Sequence, residues 1–267
     1  MKSALGNPSY IFNVTTTSFP VTQRLEGRDK SADAIFICII SGIGFALIPA
    51  STIGNIVNEK QKGLKHMQVV SGLSLFAYWA ANLLFDMIKI LLPCVLTVGV
   101  IFLFDMGYES SWATILMYPI GVVPFSYAVS FLFDDEAVAQ TFMLFGNVVA
   151  GSILGMAVFI LRIIPVTLKY GDEMKTWFKV IPNYAISNSI IYDGSKVTFN
   201  SSRTFAKFKD PSVGLATLED WSLDNVGGDM FALFLHFCFG LFVVFIIEMA
   251  SSRAGAGNKK NTSVSDS

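Results

Sequence analysis

Charge is scarce in this chain. Only 15% of its 267 residues are Asp, Glu, Lys or Arg, and the formal net charge is −1. That balance points to no nucleic acid as a partner. There are two histidines and three cysteines, with no CxxC pair and no His/Cys cluster, so neither a metal centre nor a disulfide framework is implied. Cys38, Cys94 and Cys238 fall in three different apolar runs and are expected to be small buried thiols. No GxxxxGK[ST] loop, LSGGQ-like signature, HExxH or GxSxG occurs. The chain therefore has no loop to cradle a nucleotide phosphate and no identifiable catalytic site. The first 33 residues lack the apolar core of a secretory signal. The alternating pattern of a membrane barrel is missing as well.

Apolar residues fill the space that charge leaves. They make up 53% of the chain, and the mean hydropathy is +0.57. They cluster in five runs, at about 34–57, 78–104, 112–133, 138–164 and 229–250. Each is long enough to cross about 30 Å of hydrocarbon, which takes roughly 20 helical residues. Backbone polar groups cannot go unpaired in lipid, so helices are expected. The predicted fold is an all-α, multi-pass membrane protein with five transmembrane helices. Residues 1–33 read as the polar end of a soluble domain, with a strand around Ile11, Phe12 and Val14. Residues 251–267 read as a Gly/Ser/Lys linker.

The positive-inside rule leans towards one orientation. Lys60, Lys62 and Lys65 place loop 58–76 on the cytoplasmic side, together with the tail carrying Arg253, Lys259 and Lys260. Loop 105–111, with Asp105 and Glu109, is then outside. Arg24, Arg28 and Lys30 before the first span, and Asp134, Asp135 and Glu136 between the third and fourth, pull the other way. Two triplets that fit glycosylation, at Asn13 and Asn200, fall outside in this topology, and a third at Asn261 falls inside.

Several features lie within or between the runs. Asp86 and Lys89, one turn apart, form either a polar point at a helix contact or substrate path, or a pair near the interface with Lys89 snorkelling. Gly146, Gly151 and Gly155 form a small-residue stripe suited to close helix packing, and Gly42, Ala46, Ala50 and Gly54 form another. Asp134, Asp135 and Glu136 suit the capped start of the fourth spanning helix. His66 and His236 have no partner motif, and a helix contact is the reading for His236. Pro182 interrupts an amphipathic stretch at 171–193, which predicts two short helices in a hairpin, too short to span. Residues 195–228 read as a soluble loop.

The most informative block is 59–86, EKQKGLKHMQVVSGLSLFAYWAANLLFD. Leu64, Met67 and Val70 recur at three-residue steps among polar Lys60, Lys62, Lys65 and His66. This suits a short surface helix joined through Ser71-Gly72 to a spanning helix. The pattern alone equally fits a basic loop.

The block closely resembles the membrane domain of the ABC transporter A subfamily, whose members mostly move lipids. The matching residues are Glu59, then Lys65-His66-Met67-Gln68-Val69-Val70-Ser71-Gly72, Tyr78-Trp79-Ala80-Ala81-Asn82 and Asp86-Met87. Residues 124–133, Ile181-Pro182-Asn183-Tyr184, and Asp224-Asn225-Val226-Gly227 with Met230-Phe231-Ala232 are similar to further family blocks, in the same order. Ala185 to Ser189 departs from a glycine-rich stretch of the family, and Asp134-Asp135-Glu136 replaces a more neutral loop.

The resemblance implies that residues 1–33 end an extracellular domain and that the five spans are the second to sixth helices of a half-transporter. It implies that 59–72 is a coupling helix, with Glu59, Lys60, Lys62, Lys65, His66 and Gln68 facing a nucleotide-binding domain. It also implies that 171–193 is an external re-entrant hairpin and 251–267 a cytoplasmic linker. ATP and magnesium are expected in that nucleotide-binding domain, with no cofactor on this chain. The expected partners are that domain, the other transporter half and membrane lipid. The competing expectation is a motor-less membrane scaffold or regulatory subunit with the same fold.

Overall fold

The computed structural model describes residues 23–104, 108, 110–209 and 221–265. All regular structure among them is helical. In chain order the elements are α1 (Gln23–Gln61), α2 (Leu64–Val70), α3 (Leu75–Leu103), α4 (Ser111–Ser130) and α5 (Glu136–Val148). A π-helical turn (Val149–Leu154) leads into α6 (Gly155–Ile163), followed by α7 (Leu168–Phe178), α8 (Pro182–Lys209) and α9 (Val226–Ser265). Among the described residues, five segments are long and apolar enough to cross a membrane: Ala32–Gln61, Leu75–Leu103, Ser111–Ser130, Glu136–Ile163 and Val226–Ser251. These coincide with the five apolar runs.

The packing follows from which apolar residues point where. α4 is the most enclosed span; it lies along α9 and also touches α3, α1 and α8. Tyr118, Tyr127 and Val122 of α4 are buried in a core shared with Ile90 of α3, Ile186 and Ile190 of α8 and Leu233 of α9. Leu84, Phe85, Ile88 and Leu92 of α3 are instead exposed, as are Phe242 and Phe245 of α9. A contiguous apolar surface of this extent is costly in water and at rest in hydrocarbon.

α1 packs along α5 and the π-helical turn at very close range. A Cβ on Gly42 would stand 3.0 Å from the Gly151 carbonyl carbon, and one on Gly151 would stand 3.1 Å from Gly42 Cα. The two small-residue stripes thus meet, and Gly155 packs nearby against Ser187 and Cys38. Gly146 does not join them: nothing lies within 4 Å of where its Cβ would be, because it faces away from the seam. The π-helical register turns main-chain carbonyls out of the helix ladder. Cys38 Sγ reaches the Gly151 carbonyl at 3.5 Å, and Asn183 Nδ2 donates to that of Asn147 at 2.8 Å.

Other expectations change in detail. The predicted strand at 11–14 and the Asn13 sequon lie outside the described residues. Residues 23–33, expected to close a soluble domain, are helical and run into the first span, since no proline falls between Pro20 and Pro49. The expected short second hairpin helix is 28 residues long, and helix replaces the start of the expected loop at 195–228. Pro182 begins α8 where a proline costs no hydrogen bond. Phe199, seven residues after Tyr192 and packed on Phe159, extends its buried face. The tail expected as a linker continues α9 to Ser265, again with no proline to stop it. Cys38 and Cys94 are buried as expected, but Cys238 is exposed on the outward side of α9.

Candidate functional site

The block at 59–86 folds into a joint. α1 ends at Gln61, and Gly63 turns the chain with φ of 66°, a left-handed conformation that suits glycine. α2 occupies only Leu64–Val70, a shorter helix than the expected 59–72. Gly72 (φ 101°) ends it, and Ser74 caps α3 by accepting from Ala77 N at 3.2 Å.

The six residues expected to face a partner divide into two groups. Glu59, Lys60 and Lys65 are engaged within the chain. Glu59 accepts from the Tyr78 hydroxyl at 2.5 Å. Lys60 pairs with Asp134 at 2.8 Å and donates to the Phe133 carbonyl at 3.0 Å. Lys65 pairs with Glu248 in the middle of α9, and its ammonium stands 5.0 Å from the Trp79 ring centre. Lys62, His66 and Gln68 are exposed. Beside them, no residue of α2 is buried; Met67 is 58% and Val70 72% exposed.

A polar chain runs from this joint into the bundle. Trp79 packs on Tyr127 at 5.3 Å, and the Tyr127 hydroxyl donates to Asp86 at 2.7 Å. Asp86, nearly fully buried, also pairs with Lys89 at 2.7 Å. Asp86 of α3 thus meets Tyr127 of α4 at a helix contact. Such pairing offsets the cost of a carboxylate among apolar spans. Asp135 caps α5 by accepting from Val138 N at 2.9 Å, the capping role read from the acidic triplet.

At the other end of the bundle, α7 and α8 form a hairpin whose tip reaches between the spans. Asn183 donates to the Gly42 carbonyl of α1 at 3.0 Å. Ten residues on, about 15 Å along α8, Asp193 meets the start of α4. Its carboxylate accepts from Ser110 N at 2.9 Å, Ser111 N at 2.7 Å, and both serine hydroxyls. Ser110 makes no side-chain cap of its own, so α4 is capped from α8. His236 is a helix contact, as read: its Nε2 donates to the Val180 carbonyl at 2.5 Å, and its ring packs edge-on to Phe125.

Charges missed in the sequence hold the hairpin against its neighbours. Arg162 of α6 pairs with Asp172 of α7 at 3.0 Å, and Lys179 with Asp229 of α9 at 3.1 Å. Asn188 donates to Asp229 at 2.7 Å. Lys175 donates to the Asp224 carbonyl. Burial pulls the Lys175 ammonium down to about 7, helped by neighbouring Arg162. The available signal was polar residues inside apolar runs: Asn147 and Arg162 sit within 138–164, and Asp229 opens 229–250.

A bundle of apolar spans, a solvent-facing helix on a joint, and a hairpin wedged in from the opposite end define the membrane part of a transporter. The sequence matches the family described as ABC-2 family transporter protein over residues 4–247, and the chain belongs to that family. It is similar to ATP-binding cassette sub-family A member 2 of Homo sapiens, 27% identical over 205 residues, covering 70% of this chain and 8% of that protein. It is similar to the retinal-specific phospholipid-transporting ATPase ABCA4 of Bos taurus, 28% identical over 197 residues, covering 67% of this chain and 8% of that protein. ABC transporter A family member 5 of Dictyostelium discoideum is 23% identical over 253 residues, covering 91% of this chain and 15% of that protein. The chain thus spans a small part of the length of these relatives. It is an integral, multi-pass membrane domain of the ABC-2 type, related to the A-subfamily transporters.

Proposed function

We propose that this chain is the membrane-spanning part of an ATP-driven exporter that moves lipids across or out of the bilayer. ATP hydrolysis takes place in a nucleotide-binding domain that docks on α2, and a second transporter half completes the pathway. ATP and magnesium bind in that domain and not here, in keeping with a sequence that has no phosphate-binding loop. The retinal-specific phospholipid-transporting ATPase among the similar proteins has phospholipid transport in its name, which supports lipid as the substrate class.

The observation that carries the reading is α2. Its apolar residues Met67 and Val70 are exposed beside Lys62, His66 and Gln68, while Lys65 ties the helix to α3 and α9. A load applied to α2 passes through Lys65 to Glu248 of α9 and Trp79 of α3, and from Asp86 of α3 to Tyr127 of α4. Such a helix is positioned to convert movement of a soluble domain into movement of the spans.

The test is Met67→Asp with Val70→Asp in the complete transporter, reconstituted in vesicles. Burying two such side chains in an interface contributes about 1.5–3 kcal/mol each. Coupled lipid transport is expected to fall about tenfold or more while membrane insertion stays normal and ATP hydrolysis continues without lipid stimulation. Unchanged transport and unchanged lipid-stimulated hydrolysis would remove α2 from the coupling role.

A further inference from the structure

Between α4, the hairpin tip and α9 lies a cavity of about 480 Å³. Its apolar wall includes Phe125, Val180, Phe231, Ala232, Leu235 and Phe239. Along α9 the lining runs from Gly228 to Phe239, about 16 Å of helix. That length is roughly half of a 30 Å hydrocarbon layer, or one leaflet. Phe231, Leu235 and Phe239 are each about half exposed, so the cavity is a groove open sideways from a spanning helix. What bathes it is lipid.

Most polar groups at the rim are engaged within the protein, while His236 Nδ1 is buried without a hydrogen-bond partner. An ammonium has three protons to donate, and Lys179 directs its Nζ at Asp229 and at the carbonyls of Leu223 and Asn225. The Thr176 hydroxyl donates to the Asp172 carbonyl at 3.3 Å, and His236 Nε2 to that of Val180. A headgroup that needs several hydrogen bonds finds little to bind beyond His236 Nδ1. A single hydrocarbon chain needs only apolar walls, and the volume lies within the usual range of ligand sites, about 300–1,000 Å³.

We propose that this groove retains one phospholipid from the leaflet on the hairpin side, seated by a single acyl chain along α9. The groove reads the tail and not the headgroup. The chain fills the gap between α7 and α9 beside the His236–Val180 contact and so braces the hairpin. The proposal rests on α9 crossing the membrane and is independent of the ATP-driven reading.

The complete protein would be placed in nanodiscs of phosphatidylcholine carrying a photoreactive acyl chain, and its cross-links mapped by mass spectrometry. Several-fold more label is expected at Phe231 and Leu235 than at Phe242 and Phe245, which are as exposed on the same helix. Leu235→Trp, at a half-exposed position, fills the groove without opening the core and should remove that preference. Native mass spectrometry of the detergent-purified protein should find one phospholipid retained by the wild type and none by Leu235→Trp. Phosphatidylglycerol nanodiscs should label identically. Equal labelling of both positions would reduce the groove to bulk lipid contact and overturn the proposal. A label pattern untouched by Leu235→Trp, a clear headgroup preference, or preferential capture of a photoreactive sterol would do the same.

Discussion

Replacing Asp193 with alanine removes one carboxylate that four groups of another helix depend on. Ser110 N and Ser111 N lose their acceptor, and both are buried at the start of α4, where helix geometry offers no intrahelical partner. The Ser111 hydroxyl keeps a second acceptor in the Ser189 carbonyl at 2.8 Å, while the Ser110 hydroxyl has to turn elsewhere. Each orphaned buried N–H costs about 1–3 kcal/mol. Water entry at this end of the bundle recovers part of that, which leaves a net loss of about 3 kcal/mol. For a chain of this size about 2–4 °C accompanies each kcal/mol, so the midpoint should fall by roughly 10 °C. The assay is fluorescence-detected size-exclusion chromatography after stepwise heating of the complete protein. Asp193→Asn keeps one acceptor oxygen and should fall between alanine and wild type. A change of under about 2 °C for alanine, or equal values for alanine and asparagine, would refute capping of α4 by α8.

Lys175 gives a pH prediction. Burial lowers its proton affinity to about 7, whereas an unfolded lysine keeps its proton to about 10.5. Between those values the unfolded chain binds more protons, so stability should rise with pH through this window and be lower below it. Lys175→Met should flatten the rise in melting temperature between pH 6.5 and 9, and a slope equal to wild type would contradict the assignment. Gly151→Val should disrupt the α1 seam, because a Cβ there meets Asn183 Nδ2 at 2.5 Å. Gly146→Val, facing open space, should leave folding unchanged; comparable yields of monodisperse protein from the two variants would contradict the seam.

The spans were legible because apolar runs of sufficient length have one economical solution in a bilayer. The joint at 59–86 was legible in outline: the Ser71-Gly72 break and the polar face of α2 both stand in the sequence. Its internal division was not. Nothing local says that Lys65 points back to Glu248, 183 residues away. The small-residue stripe was legible as a type, but which face of the helix meets α1 depends on tertiary contact, and Gly146 fell on the wrong side of it. α8 was read as loop past residue 194 because polar residues dominate there. The helix persists because Asp193 and Phe199 anchor it to α4 and α6. The cap on α4 was invisible for the same reason: donor and acceptor sit on different helices.

The central claim concerns the motor. The measurement is translocation of a headgroup-labelled phospholipid by the complete protein in sealed vesicles, followed by quenching of the label on one face. ATP with magnesium should accelerate translocation several-fold over protein without nucleotide, and a non-hydrolysable analogue should not. Translocation that is absent, or that proceeds equally without ATP, would contradict an ATP-driven exporter and leave a scaffold that shares its fold.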